Sequence, residues 1–435
     1  MRQSEPTTLA RELPKPVLEL CAHLEERGIR SLSHGEGLLA DLRTPSSTTE
    51  SDLGATQNLA NPRYPTRSIL CGGTPQEIYR ALPRAVVTSE EAVRLTQATA
   101  IGPVDVICSG ERSLEEILPA FGLGPLAIGF RPANESFVDP TNQLAALREG
   151  RLGLVPSDRN AFDAAPRRYW IVARLIAEYD LDPTPELVEA ATSAFQGLSA
   201  RLPLAIPARR EMTRVLAGRR PGRALRFLRE SGVTAYVVPG ADPRNEDLVD
   251  ALPPLPAVRW AAWLRGSATA SAMIRLRVPH AVARRVEKLQ TAHPIDRALN
   301  AGREGGVRKL MTRHSEEELS ALLKWRRLEL AQDAARENET RTENDAALEG
   351  ESRLLDLEDR IAKIRASDSQ VQVVRALVLD GAAVMDLLGA GPGRHVGQAL
   401  AHLARFVAED PAANDREHLE AELIDWAAQN ANLLD

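Results

Sequence analysis

Three amphipathic helical patterns follow one another between residues 162 and 239, and they constrain the fold more than any other stretch. The first pattern repeats apolar residues at the spacing of one helix face: Tyr169, Val172, Ala173 and Ile176. It leaves Arg168 and Arg174 off that stripe, so a core face and a basic face are expected. Pro207 opens the third pattern, because proline suits the first turn of a helix. The chain upstream reads as mixed strand and helix and the chain downstream as helix, so this stretch joins two kinds of structure.

The length of 435 residues exceeds what one hydrophobic core serves, and domains of roughly 100 to 200 residues predict two to four compact units. A charged fraction of 26% beside an apolar fraction of 43% is typical of a globular protein in water. The formal net charge of -6 argues against a uniformly basic nucleic-acid binder, although a local basic groove would suffice for RNA.

Three widely spaced cysteines, Cys21, Cys71 and Cys108, show neither a disulfide pattern nor metal-ligand spacing. No apolar run approaches the roughly 20 residues of a membrane span, and the first residues lack a signal-peptide core. We therefore expect a cytoplasmic protein without a membrane partner.

Helices and strands alternate in the first 155 residues. A helix is predicted over 14–29, a long loop over 43–65, and a helix start at Thr74, where Glu77 completes a capping box. A compact turn is expected at 33–37, with His34 as a loop residue. Short β-prone runs are predicted at Ala85–Thr88, Val104–Ile107, Leu126–Phe130 and Phe137–Val138.

Helical patterns continue after a proline-rich and acidic stretch at 241–257. Trp260, Trp263 and Trp325 fall in helical phase and are interpreted as core residues, and the charged segment 336–351 is interpreted as a solvated face. A turn is predicted at 391–393 and a last helix after Asn414.

Several segments together resemble the bacterial tRNA nucleotidyltransferases, called CCA-adding enzymes, and the related poly(A) polymerases. The segments in the second half are Leu379-Asp380-Gly381, Gly391-Pro392-Gly393 and Asn414-Asp415-Arg416-Glu417. Those further upstream are Thr74-Pro75-Gln76-Glu77-Ile78, Val138-Asp139-Pro140, Pro166 with Arg168 and Arg174, and Arg209 with Glu211.

The resemblance implies an α+β fold. It implies a nucleotidyltransferase-like head with a mixed sheet over 13–155, a helical neck over 156–240, a helical body over 257–350 and a helical tail over 351–435. The implied partner is RNA with a tRNA or tRNA-like 3′ end, and ATP or CTP are implied as further possible partners. Mg²⁺ is the implied cofactor if the chain is active, and none is implied otherwise; the oligomeric state is left open.

The chemistry of such a family is nucleotidyl transfer from CTP or ATP to an RNA 3′ end. Two carboxylates one residue apart, with a third on a neighbouring strand, hold magnesium against the triphosphate. Counting back from Thr74 places the acid pair at Thr66 and Ser68, which are not acids. An alternative register uses Glu50 and Asp52, and Asp105 fits the third position under either. Glu50, Asp52 and Asp105 are therefore the candidate catalytic and metal-binding residues.

Other site residues are implied by the same resemblance. The nucleotide-binding candidates are Gly35, Gly37, Arg168, Arg174 and Arg209. The RNA-binding candidates are Arg210, Arg214, Arg219, Arg220 and Arg223, since clustered basic side chains neutralise phosphates. The sequence departs from the family pattern at leucines 38 and 39, at 118–122, where paired arginines are expected, and at alanines 164 and 165, where acids are expected.

Three functions follow from these observations. In the first, the chain binds tRNA-like RNA and has weak or lost catalysis. In the second, it is an active CCA-adding or poly(A)-adding enzyme that uses Glu50, Asp52 and Asp105 with magnesium. In the third, it is a protein-interaction scaffold without catalysis.

Overall fold

A computed structural model describes residues 13–43, 67–89, 94–156, 160–198, 206–297, 304–340, 345–409 and 413–430. The chain divides into two compact units, residues 1–290 and 291–435. The four parts and their bounds given above stay a prediction. Within the described ranges, no helix combines the length and the apolar character that crossing a membrane requires.

A mixed seven-stranded sheet forms the first part of the unit 1–290, in the order β3-β4-β5-β2-β1-β6-β7. Its strands are β1 (Ser31–His34), β2 (Arg67–Cys71), β3 (Val86–Ser89), β4 (Arg94–Thr99), β5 (Gly102–Cys108), β6 (Gly129–Arg131) and β7 (Ser136–Val138). Strands β2 and β5 are parallel, and the other pairs are antiparallel. The predicted α+β class and mixed sheet are confirmed.

Helices accompany the sheet. They are α1 (Lys15–Glu25), α2 (Gly35–Arg43), α3 (Pro75–Ala81), α4 (Leu114–Ile117) and α5 (Leu144–Arg148), with 3-10 turns at Leu118–Phe121, Gly124–Leu126 and Pro132–Asn134. The predicted capping box is present at α3, because the Glu77 amide donates to Thr74 Oγ1 and the Glu77 carboxylate accepts from the Thr74 amide. A helix start read from four residues is thus confirmed.

The turn predicted at 33–37 is wrong, because the structure has strand β1 up to His34 and helix α2 from Gly35. His34 is buried in β1 and is not a loop residue. Ser31 is buried as well, and Glu25 accepts a hydrogen bond from its amide at 2.8 Å. Three of the four residues of β1 are polar, so the sequence did not indicate a strand there. The strand lies between β2 and β6, and all four of its residues are buried.

The predicted joint is helical. Its helices are α6 (Ala161–Ala164), α7 (Arg168–Tyr179), α8 (Pro185–Leu198), α9 (Ile206–Ala217), α10 (Pro221–Glu230) and α11 (Val233–Val237). A short strand between α7 and α8, β9 (Asp182–Pro183), pairs with β8 (Arg151–Leu152), which precedes α6. The helices that follow are α12 (Arg244–Ala251), α13 (Pro256–Trp263), α14 (Thr269–Arg275) and α15 (His280–Ala292). The apolar stripe predicted for α7 is buried at all four positions.

The unit 291–435 is helical in its described parts. Its helices are α16 (Glu304–Arg313), α17 (Glu316–Thr340), α18 (Asp345–Ala376), α19 (Gly381–Leu388), α20 (Arg394–Glu409) and α21 (Arg416–Gln429), with a 3-10 turn at Ile295–Arg297. The predicted turn at 391–393 separates α19 from α20, and Asp415 caps the last helix through a 3.1 Å bond from the His418 amide. Trp325 is fully buried, as predicted.

Candidate functional site

One row of side chains crosses the sheet on a single face. The register places Ser68 of β2 beside Asp105 of β5 and, on its other side, opposite His34 of β1. Thr96 of β4 lies opposite Asp105. Paired residues on neighbouring strands project to the same face of a sheet, so these four residues form a continuous row. We call Thr96, Asp105, Ser68 and His34 the Ser68–Asp105 row.

The row carries one carboxylate, that of Asp105, whose side chain is 19% exposed. Thr96 Oγ1 donates a 3.0 Å hydrogen bond to Asp105 Oδ1. Arg94 Nη1 lies 3.5 Å from Asp105 Oδ2. Since both partners come from β4, the strand next to β5 already neutralises the carboxylate.

The described residues of the row do not fit a magnesium ion. Mg²⁺ is held by carboxylates and phosphates, and a lone carboxylate paired with a guanidinium is a poor ligand for a second cation. In the part of the chain that the structure describes, no three Asp, Glu, His or Cys side chains are arranged to hold a metal. Glu50, Asp52 and Thr66 lie outside the described residues, so the catalytic set Glu50, Asp52 and Asp105 stays a prediction.

His34, at the other end of the row, is almost completely buried. Its ring packs against Phe121 with 4.5 Å between the ring centroids. Burial, with a smaller effect of the Arg94 charge, lowers the pKa of His34 to about 4, and the nearby Leu126 backbone offsets only part of this shift. The imidazole is therefore neutral at pH 7.

Gly35 and Gly37 let α2 approach β2 closely. Gly35 has a φ of +75°, and a Cβ built there would lie 3.1 Å from Ser68 Oγ. A Cβ at Gly37 would lie 3.2 Å from the Arg67 Cα. Asp41 of α2 accepts hydrogen bonds from the Arg67 guanidinium, one of them 2.8 Å long. Packing alone accounts for both glycines, and their contact with a nucleotide stays a prediction.

A buried set of charges connects α2 with two helices of the joint. The Arg174 guanidinium of α7 donates to Glu36 of α2, to Glu211 of α9 and to Glu178, the last at 3.1 Å. Arg214 of α9 donates to both oxygens of Glu178, at 2.6 and 2.8 Å. We call Arg174, Arg214, Glu36, Glu178 and Glu211 the Arg174 network.

The basic face predicted for Arg174 is wrong, because this side chain is 1% exposed. Burial by itself lowers the pKa of the Arg174 guanidinium, but the carboxylates of Glu36, Glu211 and Glu178 together raise it. Burial raises the pKa of Glu211 in spite of Arg174. Every nitrogen of this guanidinium meets a carboxylate, so Arg174 holds the fold, and a contact between Arg174 and a nucleotide stays a prediction.

The remaining candidate arginines differ in the partners that they have in the fold. Arg223 lies 3.0 Å from Asp180 and 2.9 Å from Asp182, and Arg220 lies 3.5 Å from Asp180. Arg209 is half-buried, whereas Arg210 and Arg219 are exposed, and none of these three forms an ion pair with a described residue. Arg168 donates a 2.8 Å hydrogen bond to the Ala161 carbonyl. Arg210 and Arg219 are therefore the candidates best placed to meet phosphates.

Neither the family models nor the curated proteins match this sequence. Solved structures do. The Bacillus stearothermophilus CCA-adding enzyme in complex with CTP is 17% identical and aligns with a TM-score of 0.57 over 96% of this chain and 98% of that chain. The Thermotoga maritima CCA-adding enzyme complexed with tRNA(CCA) is 14% identical, with a TM-score of 0.55 over 97% and 98%. The chain has the fold of a CCA-adding enzyme.

The likeness to CCA-adding enzymes extends over nearly the whole chain, so the predicted resemblance is confirmed at the level of the fold. A further structure, a CCA-adding enzyme with CTP, is 13% identical and aligns with a TM-score of 0.54 over 98% of each chain. At this identity the match describes architecture, and the activity is a separate question.

The sequence singled out Glu211, but it did not predict that Glu211, Glu36 and Glu178 pair with Arg174. Glu178 follows Arg174 by four residues, a helical spacing that signals a pair. Glu36 lies 138 residues away from Arg174, and no local pattern connects the two. Arg94 and Thr96 were also missed, because β4 was not among the predicted strands.

Proposed function

We propose that this chain binds the 3′ region of a tRNA-like RNA and that its transfer of nucleotides to RNA is weak or lost. The fold supports the first half, since its solved neighbours include a CCA-adding enzyme complexed with tRNA(CCA) and one in complex with CTP. The identity of residue 68 supports the second half and carries the proposal.

Ser68 stands directly beside Asp105 on the parallel strand. A hydroxyl there supplies no negative charge to a divalent cation, and Arg94 competes for the carboxylate that remains. Nucleotidyl transfer depends on metal ions that neutralise charge developing on the phosphates. A row with one neutralised carboxylate supports this chemistry poorly.

RNA binding requires a different kind of group, which the joint supplies. Arg210 and Arg219 are exposed and form no ion pair with the described residues, so no desolvated partner has to be displaced when phosphates approach. Arginine neutralisation of phosphates releases counterions, and binding then weakens steeply as salt rises.

A gel shift with tRNA that lacks its 3′ CCA, repeated over a salt series, tests RNA binding. We expect a shift at low salt. In the double variant Arg210→Ala with Arg219→Ala, the slope of log affinity against log salt concentration should become less negative by about 2. The matched control removes two other exposed arginines, Arg148 and Arg284, and should leave the slope unchanged. Absence of a shift at low salt would leave the protein-interaction scaffold as the remaining function.

The active-enzyme alternative has its own signature. Labelled CTP or ATP would then be incorporated into the same tRNA with magnesium, and the variant Glu50→Ala with Asp52→Ala would abolish incorporation. Robust incorporation would refute the proposal that transfer is weak or lost while leaving RNA binding intact.

A further inference from the structure

A basic cleft opens where the parallel strands β2 and β5 end. Its volume is about 660 Å³, and its lining includes Gly73 and Gly110, which pair across the turns that follow the two strands. Ligands commonly bind outside the carboxyl ends of parallel strands. Gly73 follows Ser68 by five residues, which at about 3.3 Å per residue separates the cleft from the Ser68–Asp105 row by about 16 Å. The cleft is therefore a site of its own.

Four arginines line this cleft: Arg27, Arg30, Arg80 and Arg112. All four are exposed, and none forms an ion pair with a residue in the described ranges. Arg27 instead donates a 3.0 Å hydrogen bond to the His23 carbonyl. Four guanidinium groups thus face one opening without carboxylates held against them.

The two acidic residues of the lining do not cancel this charge. The Glu77 carboxylate accepts bonds of 2.7 and 2.9 Å from the amide and hydroxyl of Thr74, and these bonds lower its pKa. Its position is fixed by the start of α3. Glu111 is exposed and forms no ion pair with the described residues. Four arginines against two glutamates leave an excess of two positive charges in the cleft.

The turn that follows β5 leaves its backbone open to the cleft. Gly110 has a φ of +66°, and a Cβ built there would meet nothing within 4 Å. A ligand can therefore reach the main chain at this turn without meeting a side chain.

We propose that the cleft binds a small polyanion with two or more adjacent phosphate groups, such as the polyphosphate chain of a nucleotide. Arginine presents a planar fork of donors that matches phosphate oxygens, and four such forks spread around one opening can engage several adjacent phosphates at once. The cleft volume lies in the range of about 300 to 1,000 Å³ that small-molecule sites occupy. This site is independent of the proposed RNA surface around Arg210 and Arg219.

Isothermal titration of the full chain with inorganic tripolyphosphate at low salt tests the proposal. Wild type should bind, and the double variant Arg30→Ala with Arg112→Ala should bind at least tenfold more weakly. Both side chains are exposed, so the variant should keep its melting temperature. The matched control, Arg148→Ala with Arg284→Ala, removes the same charge outside the cleft and should bind as wild type does.

Two further arms identify the source of the phosphate. The variant Arg210→Ala with Arg219→Ala should keep its affinity for tripolyphosphate, because those arginines do not line the cleft. A single-stranded RNA should bind the cleft double variant and wild type alike. Absence of tripolyphosphate binding to wild type, equal binding by the cleft variant, or a loss confined to RNA would each overturn the proposal.

Discussion

The Ser68–Asp105 row and the Arg174 network lie in the same unit and use charge in opposite ways. In the row, one carboxylate is neutralised by Arg94, and the position beside it carries a hydroxyl. In the network, two guanidinium groups meet three carboxylates and connect α2, α7 and α9. The charges of the row and of the network thus pair with one another inside a fold that a CCA-adding enzyme solved in complex with CTP shares.

Removing the central cation of the network should have the largest effect. Arg174→Ala leaves Glu36, Glu178 and Glu211 without their shared partner in a largely buried place. Losing one partner of a buried ion pair costs about 3 to 5 kcal/mol, and we expect a loss of that size in the free energy of unfolding. Urea unfolding measures it.

Two controls separate the network from a general arginine effect. Arg174→Lys keeps the charge but loses the planar fork, so its stability should fall between wild type and Arg174→Ala. Arg148→Ala, at an exposed position, should change stability by less than about 0.5 kcal/mol. A loss below about 1 kcal/mol for Arg174→Ala would mean that the network contributes little to the fold.

Acid should destabilise the folded protein, because protonation of the buried His34 imidazole is unfavourable. The folded pKa of about 4 lies below the ordinary value of 6.5, so the unfolded chain binds more protons between these pH values. The contribution of neutral His34 to stability is therefore complete above pH 6.5 and falls as the pH drops towards 4. From pH 7 to pH 4.5, wild type should lose about 2 kcal/mol more than the variants His34→Phe and His34→Gln.

Urea unfolding of the three proteins at both pH values measures this difference. Equal losses in wild type and in both variants would show that water reaches His34 and that the row is an open site.

Adding the absent acid should have a smaller effect that sharpens the comparison. Ser68→Asp puts a second carboxylate beside Asp105, which repels it in the absence of a cation and offers a pair to Mg²⁺. At 10 mM MgCl₂, a millimolar site would stabilise this variant by about 1 kcal/mol. Wild type and Ser68→Asn should show no such stabilisation in a melting experiment. Equal stabilisation of all three proteins by MgCl₂ would show that residue 68 does not take part in metal binding.

Local signals in the sequence predicted much of the fold. The capping box at Thr74 and the buried stripe of α7 depend on residues within a few positions of each other. The burial of β1 depends on pairing with β2 and β6, which lie far along the chain. Strand β4 pairs with its sequence neighbours β3 and β5, but its mostly polar residues do not show the alternation of a half-buried strand. Arg174 shows the same limit at the site: its position off the apolar stripe predicted exposure, but Glu36 and Glu211 reach it from other helices.

We propose that the head of this fold transfers few nucleotides to RNA, and nucleotide incorporation measures that transfer. Purified wild type and Asp105→Asn would each be incubated with magnesium, labelled CTP and ATP, and tRNA that lacks its 3′ CCA. We expect little incorporation and no difference between the two proteins, while both still shift the tRNA in a gel. Robust incorporation by wild type that Asp105→Asn abolishes would contradict it.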